Sequence, residues 1–276
     1  MLMSGVFPIA SRIVFMRAII RGRIWSAPVQ VLVATALILG IAYFDPIYHL
    51  PINHRLGVFL DHALSLGISI YFIRSLAPVV KPLIRLPRFD IRFNIGAFFA
   101  IFMSANFIGG IKDGHSSIGH WVLAVIAALG VGLTEEFFVR GYIFGVFSRW
   151  GLWPAAIGSS LFFGLLHLSN YFAGQGFGPT IAQVISASGF GFFACGITVF
   201  ARSIYPAVLV HSMIDLPVML SDRHFASVHL ERGELKGAAS LALTYFVLGL
   251  LFLLGAFRYH KLEPLLIKWK LTEPPS

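Results

Sequence analysis

Long apolar runs, separated by short polar segments, dominate the chain. Each run is about long enough to cross a bilayer as a helix, which takes roughly 20 residues. A helical bundle follows, because lipid provides no water to satisfy exposed backbone groups. We therefore predict an all-α, polytopic bundle of about eight transmembrane helices. The runs cover residues 28–44, 56–80, 93–111, 118–147, 153–169, 180–200, 205–220 and 238–257.

The composition indicates the same class of protein. Of the 276 residues, 57% are hydrophobic and 12% are charged, and the mean hydropathy is +0.82. A soluble core could not bury this much apolar surface, so lipid must be the solvent. No internal repeat, low-complexity tract or linker divides the chain. We expect a single integral membrane domain over residues 1–276, with a motif-bearing core at about 118–220.

Basic residues are unevenly distributed between the two sets of loops. If the N-terminus is cytoplasmic, sixteen of the 21 Lys and Arg residues fall in inner segments and five in outer ones. The positive-inside rule favours this arrangement, so we predict that both termini are cytoplasmic. The formal charge of +9 lies in short juxtamembrane loops without a basic-aromatic platform. It indicates anionic lipid headgroups, and not nucleic acid, as the partner.

Three of the predicted spans hold ionisable side chains. Inserting such a group costs about 2.5 to 3.5 kcal/mol, so those that persist need a reason. Because three spans contribute to the set, a shared functional site is a better explanation than separate structural contacts. The groups are Glu135, Glu136 and Arg140 in the fourth span, His167 in the fifth, and His211 and Asp215 in the seventh.

Helical spacing sorts these groups by direction, since residues four apart share a face and adjacent residues point about 100° apart. Glu136 and Arg140 can form an ion pair, and such a buried pair is often only structural. Glu135 then points in another direction, free of the arginine. His211 and Asp215 also share a face, so the carboxylate can orient the imidazole or lie beside it in a pocket.

Depth along the helices is a separate criterion. A tight inner turn around Gly151 joins the fourth and fifth spans. Glu135 and His167 each lie about 14 residues, or about 21 Å, from that end of their spans, so we expect them to be level. A carboxylate facing an imidazole in a partly dry cavity can activate water. His211 lies only about six residues into its span, so we expect the site to open towards the cytoplasm.

Three motifs follow one another along the chain: Glu135-Glu136-x-x-x-Arg140, Phe163-x-x-x-His167 and His211-x-x-x-Asp215. Together they resemble the motifs of the CPBP family, the CAAX protease and bacteriocin-processing enzymes that are also called the Abi family. The order is that of the family, and the resemblance covers about residues 130–216.

This resemblance implies an eight-helix intramembrane endopeptidase that hydrolyses a peptide bond of a membrane-tethered peptide or protein. By the family's roles, Glu135 would be the general base that activates water, and His167 would share the task. His211 and Asp215 would stabilise the oxyanion at the scissile carbonyl. The remaining motif residues, Glu136, Arg140 and Phe163, would support the site structurally.

Zinc is an alternative, and its ligand set would be Glu135, His167 and His211. However, the sequence contains no His-Glu-x-x-His motif, and the resemblance favours glutamate-driven hydrolysis without a required cofactor. The remaining histidines fall in or near predicted outer loops, where solvated side chains are a simpler interpretation than a second metal site. These are His49, His54, His62, His115, His120, His224 and His229.

Position 215 departs from the prenyl-protein proteases of the family, which typically have Asn there. An ionised Asp only accepts hydrogen bonds, so Asp215 would oppose an oxyanion unless it is protonated or turned towards His211. This departure favours the broader bacterial-type branch, whose substrates need not be prenylated.

Two other classes of function stay open. A transporter or proton relay also uses intramembrane carboxylates and histidines, although an inverted repeat is missing here and the polar groups are confined to three spans. A catalytically silent membrane scaffold or immunity protein could keep the same motifs, because an intact motif set is necessary for activity but not sufficient.

Overall fold

The computed structural model describes residues 31–32, 34–37, 54–74, 80, 83–84, 89–108, 117–172, 174–220 and 232–268, and these ranges are almost entirely helical, without a strand. Most of the first predicted span, the basic N-terminal segment and the C-terminal tail lie outside the described residues. The all-α prediction is confirmed for the part of the chain that the structure describes.

In chain order, the helices are α1 (His54–Ile73), α2 (Ile91–Ile108), α3 (Ile118–Glu136), α4 (Phe144–Phe147), α5 (Leu152–Leu166), α6 (Ser169–Phe172), α7 (Phe177–Ala201), α8 (Tyr205–Leu220) and α9 (Arg232–Lys268). Side chains cap two of them. Ser117 Oγ accepts a hydrogen bond from the His120 N–H at the start of α3, at 3.3 Å. Asp90 Oδ1 accepts one from the Phe93 N–H at the start of α2, at 2.9 Å. Such caps satisfy N–H groups that have no intrahelical partner.

Four helical segments within the described ranges are long and apolar enough to cross a membrane. Three further apolar helices in those ranges are shorter, at Leu60–Ile73, Ile91–Ala105 and Tyr205–Leu220. The chain is therefore an integral membrane protein, whereas the number of eight spans and the side on which the termini lie stay predictions. The four longer segments are Ile118–Trp150, Leu152–Phe172, Phe177–Ala201 and Leu235–Tyr259.

The helix that begins as α3 changes its type along its length. It continues as a π-helix over Phe137–Ile143 and ends in the 3₁₀ turn Ser148–Trp150. Gly151 then adopts φ 113°, a left-handed conformation that favours glycine, and α5 begins at the next residue. This confirms the tight turn predicted between the fourth and fifth spans. Single π-helical turns inside α-helices are frequently found at functional sites.

Helix α7 lies at the centre of the described bundle, where it packs against α2, α5, α8 and α9, while α3 packs between α1 and α8. Glycines bring α7 and α9 into backbone contact. A β-carbon built on Gly189 would lie 2.5 Å from the Ala242 Cα, and one built on Gly196 would lie 2.8 Å from the Gly249 Cα. Small residues at such crossings allow the close packing that associates helices in lipid.

A buried arginine joins α2 to the end of α7. Arg92 Nε–H donates to the Phe200 carbonyl at 2.6 Å, and its Nη2 donates to the Val199 carbonyl at 3.1 Å. The guanidinium also lies over the ring of Tyr259, 4.8 Å from the centroid. The last carbonyls of a helix lack intrahelical partners and attract cations. The guanidinium of Arg92 provides these carbonyls of α7 with both hydrogen-bond donors and a positive charge.

Replacing Gly196 by alanine should loosen the α7–α9 contact, because the new methyl group would collide with the Gly249 backbone. Overpacking of this kind costs about 1–3 kcal/mol. We expect the melting temperature of the detergent-solubilised protein to fall by about 5 °C. Gly237→Ala is the matched control, since Gly237 on α9 has nothing within 4 Å of its built β-carbon. Equal melting temperatures for the two variants would contradict the close packing.

Candidate active site

The π-helical turn presents a buried ion pair. Glu136 Oε2 lies 3.1 Å from Arg140 Nε, and the two side chains are 0% and 1% exposed. The predicted pairing is therefore confirmed. Full burial removes water from both charges, so each depends on the other for compensation.

Helices α5 and α7 hold the guanidinium of this pair. Arg140 Nη2 donates to the Gly191 carbonyl at 3.3 Å. The guanidinium lies over the rings of Phe163 and Phe190, 4.7 and 5.8 Å from their centroids. Cation–π contacts are strongest where the cation is desolvated, as it is here. Phe163 thus contacts the guanidinium, and its supporting role in the site stays a prediction.

The second oxygen of Glu136 contacts α8. His211 Nδ1 lies 2.8 Å from Glu136 Oε1, and a carboxylate paired with Arg140 can only accept, so the imidazole donates. One carboxylate therefore bridges the arginine of its own helix and the histidine of α8. The sequence predicted the first contact and missed the second, which joins residues 75 positions apart.

The other nitrogen of the same imidazole faces two further acids. His211 Nε2 lies 3.6 Å from Glu135 Oε2 and 3.5 Å from Asp215 Oδ2. Glu135 and Asp215 are 31% and 24% exposed, in contrast to the fully buried Glu136. Within the described ranges Glu135 forms no ion pair with Arg140, as its direction on the helix predicted. A positive charge on this imidazole would be attracted by three carboxylates.

His167 lies at the end of α5. Its Nδ1 is 3.0 Å from the Phe163 carbonyl. A carbonyl only accepts, so Nδ1 carries the hydrogen and a neutral ring keeps its lone pair on Nε2. Phe163 also packs edge-on against the rings of His167 and His211, with centroids 4.9 and 5.6 Å apart. Among the described side chains, no hydrogen bond or ion pair joins His167 to Glu135.

The segment after His167 is fixed to α7 by polar side chains that the motifs do not include. Asn170 Nδ2–H donates to Gln183 Oε1 at 2.8 Å, and the Asn170 N–H donates to the His167 carbonyl at 3.1 Å. These bonds hold the end of α5 against α7. The signal in the sequence was weak, since an amide three residues after a histidine is common in any turn.

Burial changes along α7. Residues 189–201 of α7 are all buried, whereas most of residues 177–188 are only partly buried or exposed. His211 contacts Glu135 and Glu136 and is therefore level with them, so its predicted depth nearer the inner face was wrong. The expected opening of the site towards the cytoplasm stays a prediction.

Zinc was the alternative predicted for Glu135, His167 and His211. Among the described residues, no group of three or more His, Cys, Asp or Glu side chains is placed to hold a metal ion. The zinc alternative stays a prediction, and no step of the chemistry below is routed through a metal.

Membrane-spanning helices that enclose acids and histidines define an integral membrane protein with an intramembrane polar site. Residues 117–217 match the model of a family described as type II CAAX prenyl endopeptidase, Rce1-like. This segment contains all three motifs, so the resemblance seen in the sequence is confirmed over these residues, and the matched family is one of peptidases. No curated protein and no solved structure matches the chain.

Replacing Glu136 by glutamine should destabilise the protein, because it leaves the buried charge of Arg140 without its counter-charge. Removing one partner of a buried pair costs about 3 kcal/mol or more. Glu135→Gln is the matched control, since Glu135 is partly exposed and forms no bond to the arginine. Thermal unfolding in detergent should show a large loss for the first variant and little change for the second. Similar losses in both would contradict the division between the two glutamates.

Proposed function

We propose that the chain is an intramembrane endopeptidase that hydrolyses a peptide bond of a membrane-tethered peptide or protein with water activated by glutamate and histidine. The observation that carries this proposal is the convergence of Glu135 and Asp215 on one nitrogen of His211, at 3.6 and 3.5 Å, while Glu136 holds the other nitrogen. The family match over residues 117–217 supports a peptidase of this class.

Glu135 is the proposed general base. It is the accessible member of the glutamate pair, and no arginine neutralises it within the described ranges. His167 assists from α5, because its Nδ1–H is committed to the Phe163 carbonyl and Nε2 can take a proton. Proton transfer from water then produces a nucleophile at the scissile carbonyl.

His211 is the proposed donor to the oxyanion that forms at that carbonyl. Its Nδ1–H is held by Glu136, which is fixed by Arg140 in turn, so the ring is preorganised before the substrate arrives. An imidazolium donates from Nε2 to the developing negative charge. Asp215 lies beside the same nitrogen and helps to orient it.

The proposed reaction requires no cofactor. The proposed partners are the membrane-tethered substrate and the anionic lipid headgroups that face the basic loops. The chain is a multi-pass membrane protein, and its charge distribution favours cytoplasmic termini. Whether the substrate carries a prenyl group is best examined with farnesylated and unmodified CAAX peptides, cleaved by purified protein with and without a chelator.

We expect Glu135→Gln to reduce the cleavage of these peptides by about 10³-fold or more, since an amide keeps the shape of the side chain but cannot accept a proton from water. The protein should stay folded, with a melting temperature close to that of the parent. Rates are measured by mass spectrometry of the released fragment.

His120→Gln serves as the activity control, because His120 contacts the Leu220 carbonyl near the start of α3, about 22 Å along the helix from Glu135. Cleavage by Glu135→Gln at the parental rate would overturn the assignment of the base. Loss of cleavage by the parent on chelation, restored by zinc, would overturn the metal-free mechanism.

Asp215→Asn tests the position at which this chain departs from the prenyl-protein proteases. Glu136 holds the imidazole more closely, at 2.8 Å, than Asp215 does, at 3.5 Å, so we expect activity within about 3-fold of the parent. Steady-state kinetics on one peptide provides the comparison. A loss of about 10-fold or more would instead make Asp215 essential for orienting His211.

A further inference from the structure

A histidine outside the matched segment lies on the inward face of α1. His62 shares this face with Ser65, Ser69 and Ile73, which follow it at helical spacing and are all buried. The face packs against α3 and the π-helical turn. The sequence placed His62 in or near an outer loop, whereas the structure places it, half-buried, on a helix that packs against α3.

A hydrogen bond joins the backbone of His62 to the helix that carries the site. The Thr134 hydroxyl donates to the backbone carbonyl of His62 at 2.6 Å, and Thr134 immediately precedes Glu135. Helix α1 thus packs beside a site whose motifs come from three other helices.

The imidazole of His62 is incompletely paired. Its Nδ1 is buried without a hydrogen-bond partner among the described residues, while the residue as a whole is half-buried. A buried unpaired N–H costs more than an unpaired lone pair, which favours the tautomer with its hydrogen on Nε2. The ring then offers one donor. A peptide entering a dry site carries oxygens that need donors.

We propose that His62 is a substrate-binding residue whose Nε2–H donates to an oxygen of the peptide bound beside Glu135 and His211. This inference rests on the proposed function. The oxygen can belong to a main-chain carbonyl or to a free C-terminal carboxylate, since both accept the same hydrogen bond. A contact of this kind stabilises the bound substrate and leaves the chemical step nearly unchanged.

The experiment uses the full-length protein and one CAAX peptide, supplied with a free carboxylate or an amidated C-terminus. We expect His62→Ala to raise KM by about 5- to 10-fold, as for the loss of one hydrogen bond, with kcat changed by less than about 2-fold. His62→Gln should restore KM, because its amide nitrogen can replace Nε2. His62→Asn should not, since its amide lies nearer the position of Nδ1.

Peptide affinity is also measured in the Glu135→Gln background, where binding is separated from cleavage, with His120→Ala as the control. Failure of the parent to cleave overturns the proposed function, whereas equal affinity with and without the His62 side chain overturns this inference. A fall in kcat and melting temperature without a change in KM would also overturn it, because that pattern indicates a structural role. If amidation abolishes the effect of His62→Ala, the contact is with the carboxylate; otherwise it is with a carbonyl.

Discussion

The fully buried carboxylate of Glu136 is the interaction on which the rest of the site depends. Lipid cannot solvate this charge, so it persists only where cations or donors surround it. Arg140 provides one partner at 3.1 Å and His211 the other at 2.8 Å. Because Arg140 also donates to the Gly191 carbonyl, one carboxylate determines how α3, α7 and α8 are arranged about a common centre.

Two adjacent glutamates have different surroundings for a geometric reason. Their side chains point about 100° apart, and only one of them can face the arginine one turn later. Glu136 is neutralised and inaccessible, whereas Glu135 is 31% exposed and faces the free side of His211. Glu136 thereby fixes the imidazole of His211, and Glu135 lies next to that ring. If the two glutamates exchanged directions, the buried charge of Arg140 would lose its partner.

The sequence predicts contacts within a helix better than contacts between helices. The pairs Glu136–Arg140 and His211–Asp215 follow from a spacing of four, and the structure contains both. The bond from Glu136 to His211 does not follow, because it depends on how α8 is placed against α3. The depth predicted for His211 by counting residues from the end of its span was also wrong. The start of an apolar run shows where hydrophobicity begins, and not where the helix lies in the bundle.

The two histidines of the site show how the same side chain acquires different chemistry from its partner. The Nδ1–H of His167 donates to a neutral carbonyl, which leaves a lone pair on Nε2. The Nδ1–H of His211 donates to a carboxylate, and its Nε2 faces two more acids, an environment that attracts positive charge. One ring is thus suited to accept a proton and the other to donate a hydrogen bond. A peptide carbonyl attacked by water requires both, so the difference between the backbone partner of His167 and the acidic partner of His211 supports hydrolysis more directly than either histidine alone.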